Sequence, residues 1–543
     1  MNKNSFNFLD RIDSLNKNQT KLFDLIVIGG GITGAGILLD ASSRGLNTLL
    51  LEKKDFASGT SGRSTKLIHG GLRYLKELEF SLVRKVGKER AIVFKNAPHL
   101  IVPQKLLLPI YKNGTFKKWQ LSIALSIYDW LAGVKKNERK KIFNSKKTIS
   151  KETTLNKDGL IGAGFYSEYR TDDARLTLEI IKTAINYNAE PYNYLEVKSI
   201  KKLNDIFYVE AYDSVNKLSF KFKSKQLVNA TGPWTDDIRK TNNTISKEKI
   251  CLSKGVHLVM KHENLPIKNP VYFDAPDKRM CFAIPRNKCT YVGTTDTLFE
   301  EIEKTEPTAN IKDITYILDA INNCFDVPKL KLNNVISSWT GLRPLILEEG
   351  KKTSEISRKD ELIIAQNNMI SIAGGKLTGY RLMAKKVVDL ILKNLNQSEK
   401  CFTSEIKISG SENINQTNVN EVKKRFKEKL SETKIQSSDL DYLFHNYGSQ
   451  LTKIIALLKS NRYKSIVQAE AHFCIMEENL YYPIDFFLRR TSKLYYSPEK
   501  IEEEIILVSP IFSKLLNLNS AEIKLLINQL LAYKKRLTNF TDD

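Results

Sequence analysis

Cysteine is scarce, six in 543 residues. Cys251, Cys281, Cys289, Cys324, Cys401 and Cys474 form no C-x-x-C pair, and no histidine stands at metal-ligand spacing, so neither a disulfide framework nor a zinc site is expected and no metal is assigned. No N-terminal stretch joins a basic start to an apolar run of roughly 7 to 15 residues, so nothing marks export and a reducing, cytoplasmic setting is expected. Histidine is equally rare, six in all, which narrows any search for a base. A nucleic-acid motif and an aromatic-interleaved basic patch are also lacking. The formal charge of +24, from 85 Lys+Arg against 61 Asp+Glu, is spread along the whole chain, so nucleic acid is set aside while anionic lipid and anionic metabolites stay compatible. A hydrophobic fraction of 41% and a charged fraction of 27% describe a folded protein.

What is present begins at Asp24. The β-rich run Asp24 to Ile28 enters Gly29-Gly30-Gly31-Ile32-Thr33-Gly34, and Ala35 to Ser43 reads as helix. Gly29, Gly31 and Gly34 fit G-x-G-x-x-G in its strand-to-helix setting, where glycines allow a tight turn and bring a pyrophosphate to N–H groups at the positive helix end. A second strand, Asn47 to Leu51, ends at Glu52, at the spacing of ~20 residues where a carboxylate can accept from ribose hydroxyls. The complete unit predicts dinucleotide binding, without separating FAD from NAD.

Five later segments make that choice. Thr65-Lys66-Leu67-Ile68-His69-Gly70-Gly71-Leu72-Arg73-Tyr74, Asn229-Ala230-Thr231-Gly232-Pro233-Trp234, Gly293-Thr294-Thr295-Asp296, Gly341-Leu342-Arg343-Pro344 and Gly374-Gly375-Lys376-Leu377-Thr378 follow one another in order. Together they resemble the FAD-dependent (aerobic, quinone-linked) glycerol-3-phosphate dehydrogenase family, over roughly Phe23 to Ala384 and more weakly beyond. On their own terms, Leu227 to Gly232 is an apolar strand ending in small residues, and Ile370 to Lys376 is a second strand-to-helix turn that can face flavin or its phosphates.

The resemblance implies FAD as cofactor and oxidation of sn-glycerol 3-phosphate at C2 to dihydroxyacetone phosphate, with hydride passing to FAD and electrons on to quinone. It assigns the cofactor to Gly29, Gly30, Gly31, Ile32, Thr33, Gly34, Glu52, Thr65, Lys66, Leu67, His69, Ala230, Thr231, Gly232, Gly374, Gly375, Lys376, Leu377 and Thr378. It assigns the substrate phosphate and hydroxyls to Arg73, Tyr74, Arg343, Arg358 and Lys376, because a dianion needs fixed cations and the Arg fork matches its geometry. His257, in Lys254-Gly255-Val256-His257, is the first candidate for the base and His69 the second; Arg343 completes the catalytic set. Two other readings remain: a glycerol-3-phosphate oxidase using oxygen, and an amine or amino-acid oxidase on the same scaffold. The first would carry an extra segment where Gly293 to Arg343 is compact, and the second would need one carboxylate-binding arginine rather than several cations.

The expected fold is α/β (α+β). A discontinuous Rossmann-like FAD domain takes residues 23–105, 150–250 and 345–400, after a flexible or weakly helical lead at 1–22. An antiparallel-sheet substrate domain takes 106–149 and 251–344, and a helical C-terminal domain 401–543. Thr171 or Asp172 is expected to cap a helix running to Asn186. Phe116 to Lys136 is apolar, bracketed by lysines and tryptophans, and interrupted by Asp129; it is too short to span a bilayer, and suits either an interfacial helix or a buried one. Peripheral attachment to an anionic membrane on its inner face follows from the resemblance, and homodimerisation is left open.

Overall fold

Leu22–Ile28 is apolar at nearly every position, which suits a strand covered on both faces. In the computed structural model, which describes residues 6–70, 79–131, 138–244, 250–300, 306–346, 360–431 and 439–540, it lies inside an eight-stranded sheet. Thr48–Leu51 and Leu218–Asn229 flank it in parallel, with Glu190–Tyr192 beyond the former and Ile370–Gly374 beyond the latter. Asp360–Ile364 closes that edge antiparallel. Leu25 and Val27 face the Ile32–Ser43, Asp173–Ile185 and Tyr380–Asn394 helices. Ile26 and Ile28 face a meander of Leu195–Leu203, Ile206–Asp213 and the start of Leu218–Asn229. This is the Rossmann-like layer expected. Asp172 caps the Asp173–Ile185 helix by accepting from Arg175 N at 3.2 Å.

A second sheet of ten strands is antiparallel except where Val271–Asp274 runs parallel to Val102–Tyr111. One end of it is the long pair Ile250–Lys261 and Val335–Ile346, in register at His257 and Trp339. The Ile311–Cys324 helix covers one part of it, and the Phe80–Asn96 and Lys118–Leu131 helices cover another through Val83, Leu121, Leu125 and Tyr128. Leu160–Arg170, grouped above with the FAD domain, belongs here instead, paired antiparallel with Val102–Tyr111 over its whole length. A strand that alternates small and aromatic residues fits either sheet, and the long register to its partner decides.

The described residues from Val419 to Thr538 are mostly helical, and their core includes Val259, Tyr291 and Trp339 of the second sheet. The N-terminal lead is tied down from Arg11 onward. The Arg11–Asn18 helix buries Arg11, whose guanidinium meets Asp213 at 2.8 Å, so this segment is anchored rather than loose.

Candidate active site

The turn after the first strand is shaped by contacts within the protein. Gly29 has φ +109°, and a Cβ there would stand 2.6 Å from the Ala230 carbonyl oxygen; one on Gly34 would stand 1.9 Å from the Gly29 oxygen. These two glycines therefore let the turn, the helix and the neighbouring strand close on one another, where the sequence suggested clearance for a ligand. Glu52 accepts from Gly30 N (2.7 Å) and Lys54 N (2.9 Å). Burial raises its carboxyl above the usual range, and those two N–H groups oppose the rise. A carboxylate has about four acceptor positions, so capacity remains for hydroxyls.

A cavity of about 390 Å³ runs past this turn. Gly29, Gly31, Ile32, Thr33 and Glu52 line it together with Ala230, Thr231, Gly232, Gly374 and Gly375. Leu51, Leu195 and Val197 add an apolar wall. Gly30 and Gly34 lie behind the lining. Trp234, named in a motif but assigned no role, also lines the space, with Lys53 Nζ 4.1 Å from its ring centroid.

Gly375, Lys376 and Leu377 border a second chamber of about 390 Å³ as well. Thr65, Leu67, His69, His257, Arg343 and Thr378 complete the part anticipated from sequence. Lys66 departs from expectation: with φ +57° its side chain turns away, is fully buried and pairs with Asp173. Arg73, Tyr74 and Arg358 lie outside the described residues. Lys278, Arg279 and Glu168 line the chamber without having been anticipated. The first two sit on a tight turn with no motif, and the third on the strand assigned to the other sheet.

Arg343 is aimed by its neighbours. Its Nη2 donates to Thr294 Oγ1 (2.8 Å) and Nη1 to the Thr295 carbonyl (3.1 Å), with Asp296 Oδ1 at 3.4 Å. His257 is 1% exposed and stacks on Trp339 at 4.8 Å and 11°. Its Nε2 is 2.9 Å from Thr65 Oγ1, and its buried Nδ1 has no hydrogen-bond partner among the described residues. Opposite it stands Gly293, where a Cβ would fall 2.3 Å from the ring, so glycine makes room for the imidazole. Burial, with Arg343 and Lys66 adding to it, holds His257 well below the ordinary histidine value and thus neutral. Glu168 accepts from Tyr128 Oη (2.7 Å) and Arg90 Nη1 (3.0 Å), and Gly70 N donates to Tyr128 Oη (3.1 Å), which ties the His69–Gly70 segment to the sheet.

With this geometry in place, the comparisons with known proteins agree. The FAD dependent oxidoreductase family model matches residues 24–381, and that for the C-terminal domain of alpha-glycerophosphate oxidase matches 401–523. Aerobic glycerol-3-phosphate dehydrogenase of Bacillus subtilis (strain 168) is 45% identical over 514 residues, 91% of this chain and 92% of that protein. The protein of the same name from Staphylococcus epidermidis is 42% identical over 530 residues, 94% of each. Among solved structures, the glycerol-3-phosphate dehydrogenase from Bacillus halodurans complexed with FAD superposes with TM-score 0.85 at 35% identity, covering 99% of this chain and 100% of that one. L-alpha-Glycerophosphate Oxidase from Mycoplasma pneumoniae shares the fold at TM-score 0.57 and 16% identity, over 70% of this chain and 97% of that one.

The donor set fits FAD. The first cavity joins a helix N-terminus for phosphates, an acidic group with spare acceptor capacity for a ribose and an apolar wall for adenine, and it continues to the Gly374–Leu377 turn beside the charged chamber.

Proposed function

Because the chain belongs to the family of FAD-dependent, aerobic glycerol-3-phosphate dehydrogenases, we propose that it oxidises sn-glycerol 3-phosphate at C2 to dihydroxyacetone phosphate and passes the electrons to a quinone at the inner face of the cytoplasmic membrane. The observation that carries this reading is that the two cavities share Gly375, Lys376 and Leu377 in their walls. That shared wall supports reading the chamber with cationic and imidazole groups as the place of the redox chemistry.

When bound, FAD supplies the two-electron acceptor for the C2 hydrogen. Arg343, its fork oriented by Thr294 and Thr295, holds a phosphate oxygen pair, and Lys376 adds a compact charge beside it. Arg73 and Tyr74 join the same task on the strength of their motif, and Arg358 on the strength of the family resemblance. His257, kept neutral by burial, takes the hydroxyl proton, and Thr65 fixes its ring. His69 lines the same chamber and is the second candidate. Stacked Tyr272 and Phe282, 4.2 Å apart, form an apolar wall that keeps water from the reacting carbon.

Anaerobic mixing of the flavin-loaded protein with sn-glycerol 3-phosphate tests the reaction: the flavin absorbance is expected to bleach, and an unchanged spectrum rejects it. Quinone reduction without stoichiometric peroxide is the expected second half. Stoichiometric peroxide with no quinone reduction transfers the acceptor role to oxygen.

A further inference from the structure

The Lys118–Leu131 helix buries Leu121, Leu125 and Tyr128 against the second sheet and leaves a different set of apolar side chains outside. Trp119 is 63% exposed, Ile123 52% and Trp130 79%. At about 100° per residue these three, with exposed Ser126 between them, fall within about 60° of one another, so they form a single outward ridge. Two of the chain's four tryptophans standing in water on one helix face is costly for a protein without a partner there.

We propose that this ridge docks on an anionic lipid bilayer, the helix lying in the plane of the interface; the inference rests on the membrane-facing reading given above. Three observations favour lipid over another occupant. Trp is the side chain that gains most at the headgroup level, with an apolar ring and an N–H that stays hydrated. The helix approach carries exposed Lys112, Lys117 and Lys118, and exposed Arg139 and Lys141 follow as the chain enters the Lys141–Asn144 strand, while the helix's one acid, Asp129, is buried and accepts from Lys140 N at 2.7 Å. The surface offered is thus apolar at its crest and cationic at its flanks, as anionic headgroups require. Finally, the helix is 14 residues, about 21 Å, too short to cross a core of about 30 Å. Among the described residues no helix is long and apolar enough to cross a membrane. The ridge also adjoins the chemistry. Thr115 and Phe116, just before the helix, line the charged chamber, so docking here would hold that chamber against the lipid in which a quinone dissolves.

The test is flotation of the FAD-loaded, full-length protein with vesicles of phosphatidylglycerol and phosphatidylcholine, for wild type and for Trp119→Ser combined with Trp130→Ser. Wild type is expected to float with the anionic vesicles. The double variant should partition at least about tenfold less, while its flavin still bleaches with glycerol 3-phosphate at the wild-type rate. Equal flotation of the two proteins overturns the ridge but leaves membrane attachment standing. Failure of wild type to float at any anionic content overturns both. A dimer lost in the variant, with flotation unchanged, gives the ridge to a second copy of the chain. Should the variant not fold, quenching of wild-type tryptophan emission by brominated phosphatidylglycerol still decides, since absence of quenching removes lipid as the occupant.

Discussion

His257 carries the sharpest test at the scale of single residues. His257→Ala is expected to slow flavin reduction by about 10²-fold or more while flavin stays bound, read in anaerobic single-turnover mixing. Unchanged reduction would move the proton to His69. The buried ring also has a signature of its own. Its value lies well below 6.5, so its NMR resonance, assigned by comparison with His257→Gln, should not titrate between about pH 8 and pH 6. Arg343→Ala should raise KM for glycerol 3-phosphate by about 10- to 100-fold, and Arg343→Lys should restore only part of it, because Lys cannot copy the fork set by Thr294 and Thr295. These positions could be read from sequence because motif and chemistry pointed to the same side chain. Lys66 could not, since its left-handed backbone conformation and its buried pairing with Asp173 leave no local mark in the sequence. Nor could Lys278 and Arg279, which reach the chamber only because a tight turn of the second sheet folds over it.

At the scale of elements, the glycine turn was legible and its reason was not. Strand, loop, helix and acid are all where the spacing set them, yet Gly29 and Gly34 are demanded by each other and by Ala230 before any ligand arrives. Gly34→Ala should therefore do more than weaken binding. A methyl 1.9 Å from a backbone oxygen forces the helix off the strand, an overpacking cost of at least about 1–3 kcal/mol, and the purified protein should be colourless with a lowered Tm. A yellow, fully stable variant would show that the turn can relax. Leu160–Arg170 gives the opposite lesson. Its residues announce a strand, but membership of one sheet or the other depends on ten residue pairs with Val102–Tyr111, a partner whose distance in sequence no local pattern encodes.

Across the whole molecule, the helical C-terminal region is fastened to the cofactor loop by buried ions. Arg490 meets Asp55 through two bonds of 2.6 and 3.0 Å, Arg489 adds a third at 3.0 Å, and Glu478 is bound by Arg175 at 2.7 Å. Asp55 lies just beyond Glu52, and Ala57 N donates to Gly30 O at 3.0 Å, so the fastening reaches the glycine turn. Arg490→Ala leaves a buried carboxylate short of its partner and should cost about 3–5 kcal/mol, seen in denaturant unfolding together with weaker FAD retention. A second fastening responds to pH. His445 Nδ1–H donates to the His99 carbonyl at 2.6 Å, and burial holds His445 down to about 4. The unfolded chain takes up that proton first as pH falls through about 6.5, so this contribution, on the order of 3 kcal/mol, is complete above 6.5 and lost by about pH 4. In His445→Gln the fall of Tm over that range should be shallower than in wild type. The order of strands in the first sheet also bears on how the chain is born. Its cofactor cavity draws its walls from Ile28 near the beginning of the chain and from Ile372 to Met383 far along it. A ribosome must therefore release some three hundred and fifty residues between the first wall and the last, and the cavity is not complete until that late strand has slotted in beside Leu218–Asn229.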